Sequence, residues 1–420
     1  MAATLASDRS SPRPPRRLRF AVPAARLARS LSRRLAHRDG AVIGGRVCLA
    51  VDPDAVAHLL VQHPTTVFVS ATNGKTTTTA LLTAAIERLM PVATNTTGAN
   101  LPSGIVTALM DAEPGTTAVL EVDERYLPGV VAVATNPVAL LLNLSRDQLD
   151  RMAEVRSIAL RWRDAFAHDT TRVIANADDP LVAYAAPPER TVWVAAASRW
   201  RMDALSCPAC TARVQYDGDD WYCTQCDLRR PKPDVTFTDT DVVLASGRRL
   251  ALPTTLPGTH SRANAAFALA ALELLGLPVD GASDAMATVT DVDGRYQHLW
   301  ATDDASRLYL GKNPAGWAEI LDVLAPVDRP LVIAVNGNDA DGHDLSWLWD
   351  VPFERLAGRP VVATGERMRD LAVRLRYADV EHTAEPNLTR ALAWARTARA
   401  DVVGTYTAFQ QIKRELRRDA

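Results

Sequence analysis

The stretch TTVFVSATNGKTTTTALL, residues 65–82, decides the fold of this chain. Its apolar start at 67–69 predicts a buried strand, the small polar residues that follow predict a turn, and the residues after Gly74 predict a helix. Strand, loop and helix in this order form a phosphate-binding loop, in which N–H groups at the helix start bind phosphate oxygens. Lys75 would reach the outer phosphates and the Thr76 hydroxyl would hold Mg²⁺. The stretch therefore predicts a nucleotide site in an α/β domain.

The match to the general pattern G-x-x-x-x-G-K-[ST] is incomplete, because Val69 stands at the first glycine position. The alternative is a helix that happens to begin with Gly-Lys-Thr. The strand predicted just before the loop favours the nucleotide site.

The composition is that of an ordinary soluble protein. The 420 residues suffice for two or three domains, 47% of them are hydrophobic, and the formal net charge is -2. No apolar run approaches the roughly 18 residues of a membrane-spanning helix, and the near-neutral balance argues against a dedicated nucleic-acid binder. Of the 47 basic residues only four are lysines, at positions 75, 232, 312 and 413. Each lysine position is therefore worth noting.

Residues 1–40 form a basic N-terminal arm in which only Asp8 and Asp39 are acidic. Residues 24–38 predict an amphipathic basic helix, although a transit peptide would have a similar composition. Two interpretations stay open. The helix is either a solvated surface element behind a tail, or it contacts anionic lipid or a lipid-linked substrate.

From residue 41 to about 294 the chain alternates strand and helix patterns, which predicts a parallel sheet. Ligands bind at the carboxyl ends of strands in such sheets. Glu121 follows an apolar strand directly, and we expect it to be paired beside the phosphate loop as a Mg²⁺ ligand. The strands are predicted at residues 65–69, 118–122, 138–142, 172–175 and 191–194.

An insert at residues 203–232 interrupts this alternation. Its cysteines form two C-x₂-C pairs that are separated by twelve residues. This spacing suits a closed, structural Zn²⁺ site without an open position for catalysis. Two disulfides are the alternative, which the lack of a secretory signal disfavours. The predicted zinc ligands are Cys207, Cys210, Cys223 and Cys226.

A zinc ribbon can also serve nucleic acid, and a nucleic-acid-binding ATPase is the rival function from a different class. The loop between the cysteine pairs carries Asp217, Asp219 and Asp220 against a single arginine, Arg213. This is not a basic face, so we expect no nucleic-acid partner.

Five motifs in the central region resemble those of the Mur ligases and folylpolyglutamate synthetases. They are ATNGKTT (71–77), NLSRDQLD (143–150), NADDP (176–180), GTHSRAN (258–264) and DGRYQ (293–297), and TGAN (97–100) fits a substrate-side loop of the same family. Gln148, Ser261 and Gln297 depart from the family pattern. The resemblance implies an ATP-dependent ligase that acts through an acyl phosphate. It also implies nucleotide contacts from Thr72, Asn73, Gly74, Lys75, Thr76, Thr77, Asn264 and Arg295, Mg²⁺ held by Thr76 and Glu121, and catalytic roles for Lys75 and Glu121.

Typical Mur ligases carry a carbamylated lysine that binds a second Mg²⁺. This chain has no lysine between Lys75 and Lys232. We therefore expect one Mg²⁺, or a second one held by carboxylates alone.

From residue 299 a third, Rossmann-like unit is predicted by renewed strand and helix alternation. The segments GKNPAG (311–316) and NDADGHDLSWLWD (338–350), together with the cysteine insert, resemble the MurT family, the ligase-like subunits of lipid II isoglutaminyl synthases. The implied organisation is a basic arm (1–40), a central ATP-binding domain with the ribbon (41–298) and a MurT-type C-terminal domain (299–420).

The MurT resemblance implies amidation of the α-carboxyl of D-glutamate in the stem peptide of lipid II, at the inner face of the membrane in the cytoplasm. Ammonia would come from a GatD-like glutaminase subunit in a heterodimer. Cys48 is the one cysteine outside the ribbon and lies on an apolar stretch, so this chain lacks a plausible nucleophile for glutamine hydrolysis.

Asp344 matches the family's aspartate that orients the histidine of the partner's active site. In the alternative interpretation, Asp344 caps the start of a helix that follows it in the sequence Leu-Ser-Trp. His343 departs from the usual arginine at that position. The alternative function is an amino-acid-adding Mur or folylpolyglutamate-type ligase, which would use an amino acid rather than ammonia as nucleophile.

Overall fold

The computed structural model describes residues 15–36, 41–95, 99–147, 155–253, 255–292, 295–300 and 306–418. Several residues named above lie outside these ranges. They are residues 1–14 and 37–40 of the basic arm, Thr97, Gly98, Gln148, Leu149, Asp150, Asp293 and Gly294.

A six-stranded parallel sheet forms the centre of the molecule. Its strands are β1 (Thr66–Ser70), β2 (Val92–Thr94), β3 (Thr117–Val122), β4 (Pro137–Leu141), β5 (Arg172–Asn176) and β6 (Thr191–Val194), in the order β2-β3-β1-β4-β5-β6. The five predicted strands are confirmed to within one residue at each end. The three-residue β2 is too short to give a periodic signal. Since β1 is central, the loop after it opens at the middle of the carboxyl edge.

Helices cover both faces of this sheet. Three precede β1, namely α1 (Arg16–Ala36), α2 (Ala41–Val51) and α3 (Ala55–Leu60), and five follow, namely α4 (Lys75–Glu87), α5 (Pro102–Asp111), α6 (Leu127–Val131), α7 (Val155–Ala167) and α8 (Pro180–Ala185). The helix predicted at 24–38 is confirmed, but it begins earlier, at Arg16. None of the described helices is long and apolar enough to cross a membrane.

Two glycines let α2 pack tightly between α1 and α5. A Cβ on Gly44 would lie 3.3 Å from the carbonyl oxygen of Ala25 in α1, and one on Gly45 would lie 1.8 Å from that of Ser103 in α5. A side chain at Gly45 would therefore push α2 and α5 apart. The three helices form one packed unit.

The insert and the segment after it are built from small antiparallel sheets. The ribbon contains β7 (Val214–Asp217) and β8 (Asp220–Cys223), and it is followed by β9 (Thr236–Phe237), β10 (Asp241–Val243) and β11 (Arg249–Ala251). Trp221 is buried beneath the ribbon and donates its indole N–H to the carbonyl of Ala177 at 3.0 Å. This contact ties the ribbon to the end of β5.

A long buried helix, α9 (Thr259–Leu274), returns to the central sheet and packs on α4, and a short helix, α10 (Ala282–Ala287), follows it. The motif GTHSRAN (258–264) predicts a helix that begins just after it, at residue 265. It begins instead right after Gly258, whose φ of +87° turns the chain into the helix. Asn264 therefore lies inside α9 rather than ahead of it.

The C-terminal unit is a second six-stranded sheet. Its strands are β12 (Tyr296–His298), β13 (Arg307–Leu310), β14 (Leu331–Ala334), β15 (Val361–Thr364), β16 (His382–Ala384) and β17 (Asp401–Gly404), in the order β12-β13-β17-β14-β15-β16. All neighbours are parallel except the β12 and β13 pair. The helices are α11 (Pro314–Leu324), α12 (Met368–Tyr377), α13 (Leu388–Ala398) and α14 (Tyr406–Arg418).

β12 shows where this sheet begins in the chain. Tyr296, Gln297 and His298 pair with β13, whereas the predicted division at 298 and 299 assigns them to the central domain. The polar motif before residue 299 gave no signal for this strand, because a three-residue edge strand has no measurable alternation.

Candidate active site

The loop between β1 and α4 has the geometry of a phosphate-binding loop. Gly74 has a φ of +87°, and a Cβ at this position would lie 2.8 Å from Oδ1 of Asn264. Both the backbone conformation and the close approach of α9 therefore require glycine. The predicted neighbours Gly74 and Asn264 are brought together, and Thr77 lies half-buried in the first turn of α4.

The end of β4 braces this loop. The Thr72 hydroxyl donates to the carbonyl of Ser145 at 3.0 Å and accepts from the Ser145 N–H at 2.9 Å. The Asn143 side chain accepts from the Asn73 N–H at 2.9 Å and donates to the Asn73 carbonyl at 3.0 Å. Thr72 and Asn73 thus set the loop conformation through reciprocal hydrogen bonds, which fixes the N–H groups that would face phosphate.

Lys75 is buried at the start of α4 and donates to the Ala71 carbonyl and to Glu124 Oε2, the latter at 3.1 Å. Burial opposes the charge on its amine. Glu124, Glu121 and Asp147 outweigh this effect, so that the pKa of Lys75 is raised and the amine stays protonated. A buried cation at a phosphate loop attracts the negative charge of a triphosphate.

Glu121 is paired as predicted and lies beside the loop. Its Oε2 accepts from the Thr76 hydroxyl at 2.9 Å. Asn95 holds the Glu121 backbone on both sides, with 2.8 Å contacts to its N–H and its carbonyl, and the Asn100 side chain reaches Oε1 at 3.5 Å. A hydroxyl and a carboxylate this close provide two oxygen ligands of the kind that Mg²⁺ prefers.

The C-terminal sheet contributes its own residues to the loop. Lys312 Nζ lies 2.8 Å from the Asp147 carboxylate, and Asn313 Nδ2 donates to Asp147 Oδ1 at 3.0 Å. Asn313 and Asn73 also join their side-chain amides at 3.2 and 3.3 Å. Burial raises the pKa of Asp147, but Lys312 outweighs it and the net shift is downward, so the carboxylate is ionised.

Arg295 completes the positive side of the site. Its charge acts on the pKa of both Lys75 and Lys312, in the lowering direction. The predicted nucleotide residue Arg295 therefore lies within the range of electrostatic interaction with both lysines.

The sequence alone predicted no role for Lys312, Asn313 or Asn95, and it predicted Glu124 only as one of the carboxylates that follow β3 beside the phosphate loop. Only Lys312 carried a usable signal. It is one of only four lysines in a chain whose other basic residues are arginines. The ammonium group of lysine is a compact charge on a flexible stem, which suits contact with a phosphate.

A cleft between the two sheets continues from the phosphate loop. Loop residues, α9 and α11 line it, and its walls mix apolar and polar groups. Asn73, Asn143, Asn264, Phe267, Ala315 and Glu319 are among the lining residues. Its position beside Gly74 and its mixed lining fit the base and ribose of a nucleotide.

The NADDP turn supports this cleft rather than entering the chemistry. Asp179 accepts from the N–H groups of Leu144 and Leu181, each at 2.8 Å. Asp178 forms an ion pair with Arg230, which lies near the end of the ribbon insert, at 2.6 Å. The turn therefore connects the loop-bracing segment to the ribbon.

The four ribbon cysteines converge. Their sulfur atoms all lie within 4.8 Å of one another, with Cys207 and Cys226 at 3.6 Å and Cys210 and Cys223 at 3.4 Å. None is in a disulfide. Zn–S bonds of about 2.3 Å in a tetrahedron place sulfurs roughly 3.8 Å apart, so the cluster fits a metal ion at its centre.

Asp344 lies apart from the nucleotide cleft. Its Oδ1 accepts from the Ser346 N–H at 2.8 Å. The 3₁₀ helix that follows, Ser346–Asp350, has Leu345 at its N-cap position, so Asp344 lies one residue ahead of the cap. The residue is exposed and lines a separate surface groove with Trp349, Arg367 and Asp370. This contact uses Oδ1, and Oδ2 accepts no hydrogen bond from the described residues.

Comparisons with known proteins assign the family. The Mur ligase middle domain model matches residues 69–272, and the MurT ligase C-terminal model matches residues 310–409. The lipid II isoglutaminyl synthase (glutamine-hydrolyzing) subunit MurT of Staphylococcus aureus (strain N315) is 30% identical over 385 residues, which are 86% of this chain and 88% of that protein. The chain belongs to the MurT family.

Other comparisons agree with membership of the MurT family. The protein of the same name from Streptococcus pneumoniae (strain ATCC BAA-255 / R6) is 28% identical over 410 residues, with 89% of this chain and 92% of that protein covered. Among solved structures, the Mycobacterium tuberculosis folylpolyglutamate synthase complexed with ADP superimposes with a TM-score of 0.56 at 17% identity, covering 94% and 99% of the two chains. The latter likeness supports the Mur ligase fold alone.

Proposed function

We propose that this MurT-family chain is the synthetase subunit of a lipid II isoglutaminyl synthase. It amidates the α-carboxyl of D-glutamate in the lipid II stem peptide to D-isoglutamine, at the expense of ATP. The observation that carries the proposal is the joint site at the phosphate loop, where Lys312 and Asn313 of the C-terminal unit contact Asp147 and Asn73. Relatives that match most of the chain bear this name.

The site supports an acyl-phosphate mechanism in two steps. A carboxylate oxygen of the substrate attacks the γ-phosphorus of ATP, the bond to the bridging oxygen breaks, and ADP leaves. Ammonia then attacks the acyl carbon, inorganic phosphate leaves, and the amine gives up a proton. The loop N–H groups, Lys75 and Lys312 would offset the charge on the transferring group, while Asn264 and the cleft would hold the nucleoside.

Two metal sites belong to the proposal. Thr76 and Glu121 would hold Mg²⁺, which neutralises phosphate charge when bound. Cys207, Cys210, Cys223 and Cys226 would hold Zn²⁺, which contributes folding free energy and has no open coordination position.

Ammonia would come from a GatD-like glutaminase partner. Cys48 is fully buried in α2, and burial, reinforced by Asp52, raises the pKa of its thiol to about 11. Such a thiol is almost entirely protonated at neutral pH and is a poor nucleophile. We further propose that Asp344 orients the histidine of the partner's active site.

The test supplies the purified chain with ATP, Mg²⁺ and a lipid II analogue, and compares ammonium with D- and L-amino acids as nucleophile. We expect an amide product and ADP with ammonium only. Lys75→Ala serves as the inactive control and should lose at least about 10²-fold in turnover. Peptide-bond formation with an amino acid would instead assign the amino-acid-adding function, and full activity of Lys75→Ala would overturn the phosphate site.

A further inference from the structure

Helix α1 has two apolar faces, and only one of them is used inside the molecule. Leu18, Ala21 and Ala25 are buried against the rest of the protein. Phe20, Leu27 and Leu31 are 73%, 62% and 47% exposed, and their spacing of seven and four residues places them on one stripe of the helix. Large aromatic and aliphatic side chains in a contiguous exposed stripe mark an interaction surface.

The charge of α1 identifies the partner. The helix contains seven arginines and no acidic residue. Arg26 and Arg29 are used internally, in contacts with the Met110 carbonyl and with Asp111 at the end of α5. Arg16, Arg17 and Arg19 are exposed and form no ion pair with the described residues. On a helical projection, Arg16 and Arg17 flank the stripe of Phe20, Leu27 and Leu31.

Apolar side chains flanked by arginines are the arrangement that binds the headgroup and acyl boundary of an anionic bilayer. The apolar groups enter the boundary while the guanidinium groups remain with the phosphates. A second copy of this basic helix would meet like charge on both sides, which is unfavourable.

The surface is preformed and rigidly connected to the site. Gly44 and Gly45 let α2 pack closely against both α1 and α5, so that α1 is already folded and packed before it binds. The connection continues along α5 to its exposed N-cap, Leu101, and to Asn100, which reaches the Glu121 carboxylate. A bilayer bound at α1 would thus be held at a fixed position relative to the segment beside the proposed Mg²⁺ ligand.

We infer that the exposed face of α1, defined by Phe20, Leu27 and Leu31 with Arg16, Arg17 and Arg19, binds the surface of an anionic membrane. The inference deepens the proposed function, because a lipid-linked substrate lies in such a membrane, but binding itself requires neither substrate nor ATP.

The test measures co-sedimentation of the full chain with vesicles that contain no lipid II, made of phosphatidylglycerol or of phosphatidylcholine. We expect binding to phosphatidylglycerol that weakens with salt, and at least tenfold weaker binding to phosphatidylcholine. The variant Phe20→Glu/Leu27→Glu should lose at least about tenfold in partitioning, since each side chain buries apolar area in the boundary. Replacing Arg16 and Arg17 with Gln should cost roughly fivefold per residue.

Val327→Glu is the matched control, because it adds a charge at an exposed aliphatic position in the C-terminal unit. It should bind vesicles like the wild type. All variants should keep wild-type turnover on a water-soluble substrate analogue, which separates this inference from the proposed function.

Three outcomes would overturn the inference. They are no binding to phosphatidylglycerol at low salt, equal binding by Phe20→Glu/Leu27→Glu, and loss of self-association in that variant without any change in vesicle binding. The third would assign the face to contact between two copies of the chain.

Discussion

The side-chain amides of Asn73 and Asn313 face each other at 3.2 and 3.3 Å, although 240 residues separate them in the chain. One belongs to the phosphate loop of the central sheet and the other caps α11 of the C-terminal sheet. Their contact, with the Lys312 and Asp147 pair beside it, makes the candidate nucleotide site a joint property of both sheets.

Asn313→Ala tests this joint site. The substitution removes the contacts with Asn73 and Asp147 and should lower kcat/KM for ATP at least about fivefold, since the loss of even one hydrogen bond costs about 1 kcal/mol. It also removes the helix cap on the Gly316 N–H, which should cost about 1 kcal/mol of stability.

Asn387→Ala is the control. Asn387 caps α13 in the same way through the Arg390 N–H, so this variant should lose similar stability but no turnover. Equal turnover in the two variants would contradict a contribution of the contact between Asn313 and Asn73 to the reaction.

Asp344→Asn distinguishes the local contact of Asp344 with the Ser346 N–H from its proposed role in orienting the histidine of the glutaminase partner. Asparagine retains an Oδ1 that can accept the Ser346 N–H, so the local structure should persist. If the partner's histidine needs the carboxylate, glutamine hydrolysis by the complex should fall by about 10⁴, the loss seen when the triad aspartate of a serine protease becomes an amide. Amidation with excess ammonium should be unchanged.

Asp370→Asn is the control, because it removes another carboxylate from the same groove. The complex that contains this variant should hydrolyse glutamine at a rate within a few-fold of the wild-type rate. Equal loss of the ammonium-driven and glutamine-driven reactions in Asp344→Asn would place Asp344 in the synthetase reaction instead.

Cys207→Ser should lower the melting temperature and the zinc content, which we expect to be about one ion per wild-type chain by metal analysis. Turnover per folded molecule should change little, because the cluster lies outside the nucleotide cleft. Cys48→Ser, also at a fully buried thiol, should leave the zinc content unchanged. A wild-type chain with no zinc and oxidised thiols would favour disulfides.

Glu319→Gln should flatten the dependence of stability on pH. Burial, reinforced by Asp322, raises the pKa of the Glu319 carboxyl from 4.5 to about 8. The folded state therefore holds a proton that the unfolded state releases between these values, and stability falls as pH rises through this window. The variant should melt higher than wild type at pH 8, with a smaller difference at pH 5, in thermal scans of the nucleotide-free chain. Glu113→Gln removes an exposed carboxylate and controls for net charge.

The features that the sequence predicted are those that few neighbouring residues determine. β1 and the loop after it are such a case, because an apolar run, a glycine at positive φ and a helix start are all local. The cysteine cluster is another, since metal geometry limits the spacing of its ligands.

The features that were missed depend on distant partners. Asn313 becomes a site residue only because α11 packs against the phosphate loop in the folded chain. The start of α9 depends on one backbone angle, at Gly258. Asn95 lies next to a three-residue strand that no sequence pattern indicates. Its hydrogen bond with the Glu121 N–H therefore could not be predicted from the sequence.

The pairing of β12 with β13 has a consequence for the catalytic cycle. The carbonyl of Arg295 accepts from the N–H of Leu310, the last residue of β13, and Lys312 follows only two positions later. Arg295, Lys312 and Asn313 are thus fixed to the same end of one sheet. If that sheet were to move as a rigid body, both cations and the Asn313 amide would leave the phosphate loop together rather than one at a time.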